Sequence, residues 1–419
     1  MSSRPPVILG YEAITGLGGN LEETWNRAVE GGSGVRELTR FPLREKFPVT
    51  VAGEVHGVDL AAEEIFTAKE LKNWASPVIP FGMLAVQRAL AHAGLELTPE
   101  LASRTATTFS SAVGGLDQFI AADRELVASS RLPRPFANPN ACINMVTGKV
   151  SILTGATGPI LSTVGACATG SLSLAYGAML LDRGLADVVL CGAVDFSLVE
   201  VIVAGFATMG GCFKPKGEGD RAAGDPTRAS RPFSDDRRGF VVSEGAAALI
   251  LCSREFCDAH GLTPRAELAG FGMTSDAHHF VAPHGPTITA AMRQAVAAAG
   301  LQPEDIGAIN AHAASTKAGD RVEVEALREV FGERTPVVTA NKSQLGHAMG
   351  AASAIEAVLA IVGLERGVVL PTINHQPDPD CAVPDLATET RRLAHEHVLS
   401  NAFGFGGCNC CLVLRGVSA

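Results

Sequence analysis

The sequence predicts an α/β protein of the duplicated, five-layer α-β-α-β-α kind, on three observations. Short apolar runs that read as strands alternate with longer helical segments from end to end, the pattern of sheets covered by helices. The alternation begins afresh near Arg265, so two similar halves stand back to back, residues 1–260 and 261–419. Residues 187–194 are almost continuously apolar, as in a strand buried on both faces. The 45 Gly, set against only two Trp and two Tyr, suit close packing of helices on sheets.

In order, residues 7–14 read as a strand entering a tight glycine turn at 16–19, and 21–30 as a helix. The turn lacks a full G-x-G-x-x-G with a following acid, so no dinucleotide site is expected. Residues 80–93 form a helix that Gly94 stops, 105–110 a strand, 117–128 a charged helix, 131–140 a loop rich in Pro and Asn, and 144–154 a helix. A short buried strand is expected at 158–164, then a helix from Ala168 to Leu181 closed by Arg183 and Gly184. Residues 214–236 are polar and irregular. They read as a solvated loop whose Arg221, Arg228 and Arg231, with the adjoining Arg237 and Arg238, are the best candidate dock for an acidic carrier. Residues 240–252 return as a strand with a break at Glu244-Gly245. The second half repeats the rhythm: strands at 266–273, 306–311, 337–340, 397–403 and 408–414, helices at 287–299, 320–331 and 348–366.

With 419 residues and 47% hydrophobic content a large core is available, and a net charge of -10 speaks against a general nucleic-acid binder. The ten cysteines sit mostly in apolar segments and read as reduced. The N-terminus has no signal-peptide pattern, and no apolar stretch reaches a membrane span without Gly, Pro or charge. A cytoplasmic protein is expected.

Chemistry centres on Cys167. The small-residue run 165–170 delivers it from the expected strand to the start of a long apolar helix, which resembles a nucleophile elbow. Helix-terminal N–H groups lower a thiol pKa and can hold an oxyanion. Two of eleven histidines stand apart, because His312 and His347 both lie just beyond expected strands, where open α/β folds place ligands. Strand alternation puts Cys408 and Cys410 on one face and Cys411 on the other, so no closed metal site is expected.

Four blocks then carry a family resemblance: Gly-Ala-Cys167-Ala-Thr-Gly, Asn-Ala-His312-Ala-Ala-Ser-Thr316, Lys342-Ser-Gln-Leu-Gly-His347 and Asn-Ala-Phe-Gly-Phe405-Gly-Gly. In this order they resemble the signature of the β-ketoacyl-acyl carrier protein synthases, above all the type II elongating enzymes and polyketide ketosynthases, over essentially the whole chain. The resemblance implies a thiolase-like fold, usually a homodimer whose partner helps line the acyl pocket, although a heterodimer with a ketosynthase-like subunit is also compatible. It implies substrates carried on the phosphopantetheine of an acyl carrier protein, no further cofactor and no metal. By the same resemblance Cys167 holds the acyl group, and the N–H groups of Cys167 and Phe405 hold the oxyanion. His312 and His347 stabilise the enolate left by malonyl decarboxylation, Lys342 and Glu356 order the histidines, and Phe405 gates the pocket.

Several positions depart from the elongating pattern. Ala314 and Val281 stand where threonines contact the pantetheine, although Thr316 is kept. Val113 and Ala137 stand where bulkier residues line the acyl pocket. These departures predict a specialised fatty-acid or polyketide pathway. The rival from another class is a non-catalytic chain-length factor. Such partners typically lack the cysteine, whereas Cys167, His312 and His347 are all present here.

Overall fold

The computed structural model describes residues 4–217, 220–332 and 334–417. Its largest sheet has nine strands: β1 (Val7–Thr15), β2 (Thr105–Thr107), β3 (Val188–Phe196), β4 (Glu244–Cys252), β5 (Ala266–Ser275), β6 (Ala308–Asn310), β7 (Val337–Thr339), β8 (His397–Gly404) and β9 (Cys408–Gly416). They lie in the order β2-β3-β4-β1-β5-β9-β8-β6-β7. β1 and β5 meet through only two register pairs, Val7 with Glu267 and Ile8 with Ala266, and this seam joins the two halves. Read outward from it, both halves repeat one plan. The first strand lies at the seam, the last lies beside it antiparallel, and the outer strands run parallel.

Seven helices matter for the site: α1 (Val78–Ala93), α2 (Leu116–Ser129), α3 (Thr169–Asp182), α4 (Glu200–Met209), α5 (Gly285–Ala298), α6 (Lys317–Phe331) and α7 (Ala352–Arg366). α3 and α7 pack on each other and on strands of both halves, forming the middle layer. α1 covers β1 and β4 from outside, while α5 covers β5 and β9 with α6 against it. Every residue of α7 from Ala352 to Gly363 is buried, as a helix between two sheets requires. Its Ile355, Val358 and Leu359 join Leu174 of α3 in the central core. Each such side chain contributes about 1.5–3 kcal/mol through burial. Gly170 lets the helices touch, because a Cβ there would lie 2.4 Å from the Ala354 nitrogen.

Four expectations need correction. The strand expected at 158–164 is a single bridge from Ile160 to Thr107, and Ile160, Leu161 and Val164 are exposed. The segment runs along the outer side of β2 with no strand beyond it among the described residues, so it gains no second ladder. Residues 131–140 are not all loop, since a short helical turn, Ala137–Ala141, ends them. The regular ladder of β4 starts at Glu244, and the residues before it bridge to other loops, including one between Val242 and His347. Finally, α4 is a helix for which the sequence pattern sets no element. Among the described residues no helix is long and apolar enough to cross a membrane.

Candidate active site

Cys167 lies in a 3-10 turn, Ala166–Ala168, that runs straight into α3. Ala166 has φ +49°, a left-handed conformation that costs a non-glycine residue on the order of 1–3 kcal/mol. The surrounding chain holds it there. Thr169 Oγ1 accepts from the Gly165 amide at 3.1 Å and donates to the Ala166 carbonyl at 2.7 Å. The elbow expected from the sequence is therefore present, although a bridge rather than a full strand leads into it.

Opposite the elbow runs the turn between β8 and β9. Its Gly404 packs so closely that a Cβ there would lie 2.3 Å from the Gly165 carbonyl oxygen. This contact brings the Phe405 amide to the Cys167 sulphur, where the amide of Cys167 also points. Gly404→Ala is expected to push the turn away, at about 1–3 kcal/mol of stability. With one oxyanion donor displaced, acylation should fall roughly 10²-fold or more. Denaturant midpoints and intact-mass acylation rates check both.

The two histidines close the site. His347 Nε2 lies 3.0 Å from Cys167 Sγ, and the His312 and His347 rings meet edge to face at 5.6 Å. The sulphur and one nitrogen of each ring all lie within 4.8 Å of one another. Backbone bonds place His347, with its amide donating to the Val241 carbonyl at 2.7 Å and its carbonyl accepting from Ser243 at 2.9 Å. Glu323 of α6 places His312, accepting from the amides of His312 and Ala313 at 2.9 and 2.7 Å and from Asn401 Nδ2 at 3.0 Å. Behind the histidines, Lys342 Nζ is bonded to both carboxylate oxygens of Glu356 at 2.6 and 2.8 Å, and the pair is fully buried.

Electrostatics amend one expectation. Burial pushes the Cys167 thiol up to about 11, against the smaller lowering effects of Lys342 and the Phe405 amide. The elbow thus does not by itself yield a thiolate, because α3 begins two residues later and the sulphur is only 8% exposed as a residue. A base must take the proton, and His347 is in contact. Burial, reinforced by the Lys342 charge, holds His312 and His347 well below the usual histidine range, so both are neutral near pH 7. Three soft donors at this spacing would also suit a metal. The two N–H groups aimed at the sulphur suit a developing oxyanion instead, which a cation site has no use for.

These groups sit in a cavity of about 1130 Å³ whose lining includes Val113, Val281, Ala314, Thr316 and Phe405. The Thr316 hydroxyl also caps α6 by accepting from the Gly319 amide at 3.1 Å. Ala137 is buried elsewhere and does not line this cavity, because the turn at 137–141 packs against α2. The candidate basic dock is corrected too. Arg231 and Arg237 are buried, and Arg221, Arg228 and Arg238 pair with Asp236, Asp225 and Asp220 at 2.6, 3.3 and 2.8 Å. These arginines tie the loop down, while Lys214, Lys216 and Lys317 line the mouth.

The sequence reading passed over Asp195. It ends β3 fully buried, and accepts from Ser111 Oγ at 2.7 Å and from the amides of Ala112, Val113 and Gly350 at 3.1, 3.0 and 2.8 Å. One carboxylate thus fixes the pocket wall at Val113 and the turn after His347. A lone acid closing an otherwise apolar strand was the available signal. Burial raises Asp195 to about 6, so it is mostly ionised above pH 7, and its charge pushes the Cys167 thiol upward. Asp195→Asn removes that charge and should move alkylation of Cys167 by iodoacetamide to lower pH. An unchanged or upward-shifted alkylation profile above pH 7 would refute the coupling.

A layered α/β fold with a cysteine at an elbow, two amides on its sulphur and two neutral histidines defines a thiol-dependent acyl-transferring enzyme of the thiolase-like class. Comparison with known proteins gives the family. Residues 3–256 match the β-ketoacyl synthase N-terminal domain and residues 265–376 its C-terminal domain. The chain is 34% identical to a 3-oxoacyl-[acyl-carrier-protein] synthase 2 of Staphylococcus aureus (strain COL), over 99% of this chain and 98% of that protein. It superposes with TM-score 0.90 and 30% identity on a β-ketoacyl synthase from Burkholderia phymatum STM815, covering 99% of this chain and 100% of that one. A type II PKS ketosynthase in complex with its acyl-carrier protein and bound to the hexaketide gives TM-score 0.89 at 26% identity, with coverage of 99% and 100%. The chain belongs to the β-ketoacyl synthase family.

Proposed function

We propose that this protein is a 3-oxoacyl-acyl carrier protein synthase, which lengthens an enzyme-bound acyl chain by two carbons from a malonyl carrier. The observation that carries the reading is the Cys167 sulphur set between two amides and a neutral histidine at 3.0 Å. In the first half-reaction the sulphur attacks the thioester carbonyl of an acyl carrier, and its proton passes to His347 Nε2. The carbonyl oxygen, now negative, accepts from the N–H groups of Cys167 and Phe405. The C–S bond to the carrier breaks, and the departing pantetheine thiolate takes the proton from His347.

In the second, malonyl carrier loses its carboxylate as CO2, and the electron pair of the broken C–C bond becomes an enolate. The enolate oxygen accepts hydrogen bonds from His312 and His347, each of which, as a neutral imidazole, carries one N–H to donate. His347 Nδ1 has no partner among the described residues, so neither tautomer is locked, and Nε2 can accept in one half-reaction and donate in the other. The enolate carbon attacks the acyl carbonyl, the bond to Cys167 breaks, and the released thiolate takes one proton from solvent. Lys342 and Glu356 would keep the field on both rings constant through these steps.

An acidic carrier protein would approach over Lys214, Lys216 and Lys317 and feed its phosphopantetheine arm down the cavity; no other cofactor is called for. Loss of the hydroxyls at Val281 and Ala314, both on the cavity wall, supports a specialised fatty-acid or polyketide pathway. Exposed Ile160, Leu161 and Val164 along the edge beside β2 support a dimer, which we take to be a homodimer in the cytoplasm. Intact-mass spectrometry after exposure to an acyl carrier, then to malonyl carrier, tests the reading. Acylated protein followed by a 3-oxoacyl carrier two carbons longer is the expected result. Failure of every acyl carrier tried to modify Cys167 would overturn it.

A further inference from the structure

Arg237 is a buried cation that the reaction steps leave unused. It is 2% exposed and belongs to the strip at 235–240, which lines the cavity together with the strip at 316–319. Its guanidinium ties the two strips to each other. Nε donates to the Thr316 carbonyl at 3.1 Å, Nη2 to the Lys317 carbonyl at 3.1 Å, and Nη1 to the Ser234 carbonyl at 2.8 Å and to Asp378. Asp320, fully buried, holds the other side. Its Oδ1 accepts from the Thr316 amide at 3.0 Å, while its Oδ2 accepts from the Phe233 amide at 2.9 Å and lies 3.7 Å from Arg237 Nε. Both peptide groups of Thr316 are thus pinned.

The pinned turn is strained. Ser315 has φ +68°, a left-handed conformation that costs a non-glycine residue on the order of 1–3 kcal/mol and persists only where its surroundings impose it. The Gly239 amide on the Ser315 carbonyl at 2.8 Å and the Arg231 amide on Ser315 Oγ at 3.1 Å supply part of that hold, and Arg237 and Asp320 supply the rest one residue on. Burial of Arg237 among carbonyls and carboxylates adds little net stability, because desolvating the charge offsets most of what pairing returns. What the arrangement secures is a direction. Thr316 Oγ1 accepts from the Gly319 amide, so its own hydrogen is left with no acceptor among the described residues. Thr316 also carries the one side-chain hydroxyl in the cavity lining, where Val281 and Ala314 are apolar.

We infer that Arg237 and Asp320 are positioning residues for the carrier: they fix Thr316 so that its hydroxyl hydrogen is donated to an oxygen of the pantetheine arm. The inference rests on the reading of this cavity as the path of that arm. It adds two buried residues that act through Thr316, and it concentrates hydroxyl recognition of the arm on that single side chain.

The test uses the full-length protein and one acyl group presented on two thiols, pantetheine and ethanethiol, the second lacking the arm. Rates of Cys167 adduct formation are read by intact mass, and the pantetheine-to-ethanethiol ratio is the readout. Thr316→Val should lower the ratio about tenfold, the size of one good hydrogen bond. Arg237→Lys keeps the charge but loses the planar fork that reaches both carbonyls, so it should lower the ratio by a similar factor while ethanethiol loading stays within about twofold of the parent. Added to Thr316→Val it should change the ratio by less than about twofold, because both substitutions remove one shared contact. Asp378→Asn loosens Arg237 from outside the cavity lining and should move the ratio the same way, which keeps the inference testable if Arg237→Lys does not fold. An unchanged ratio in whichever of these variants folds, or effects that multiply in the double variant, overturns the inference and leaves the condensing reading standing. If neither thioester loads Cys167 of the parent protein, both fall.

Discussion

Cys167→Ala should abolish elongation, and peptide mapping of the parent protein after acylation should find the adduct on Cys167 alone among the ten cysteines. The expectation rests on position, because most of the other thiols are buried in core positions and burial pushes Cys191, Cys252, Cys410 and Cys411 up with no base in contact. Cys167 is raised as well, but it lines the cavity and has His347 Nε2 at 3.0 Å. The pH dependence follows with its sign. A thiol raised to about 11 is protonated near neutrality, so simple alkylation should quicken steadily as pH rises toward that value. Acylation by carrier, with proton transfer to His347, should already run near pH 7. An adduct on another cysteine, or elongation that survives the substitution, would remove the basis of the proposed function.

His312→Ala and His347→Ala should differ in a way that divides the reaction. Either loses a donor to the enolate oxygen, so malonyl decarboxylation should fall on the order of 10²–10³-fold in each. Acyl transfer should separate them. His312 makes no hydrogen bond to the sulphur among the described residues, and its variant should load acyl groups near the parent rate, whereas His347→Ala removes the base that touches the thiol and should load slowly. Single-turnover acylation and malonyl-carrier decarboxylation, measured separately, check the four rates. Decarboxylation at the parent rate in both variants would show that the histidines serve something else.

Much of this was legible in the sequence, for definable reasons. Helix stops at Gly94 and Gly184, the apolar run of β3 and the fully buried pattern of α7 are local, and each reports its own surroundings. The cysteine and both histidines could be picked out because all three stand at chain turns with small neighbours. What the chain pattern could not carry was anything decided by a distant partner. The arginines of the 221–238 loop look like a basic surface in sequence, yet Asp220, Asp236, Asp320 and Asp378 fold over them.

Tertiary structure alone decided four further matters. Asp195 and Glu323 became site residues only when loops far apart in the chain brought their amides to them. Ala137 sits on a turn packed against α2, outside the lining of the cavity at Cys167 within this chain. The thiol of Cys167 rose where the helix terminus alone would lower it, since desolvation depends on what covers the sulphur, and the cover comes from other elements. A further cavity, lined by Arg40, Asp117, Glu200 and Glu244 among others, exists only where α2, α4 and the loop at residues 40–44 meet. The sequence by itself determined most of the elements and which residue types can react. Burial, pairing and distance, which no local stretch encodes, decided how those residues are charged and what they can reach.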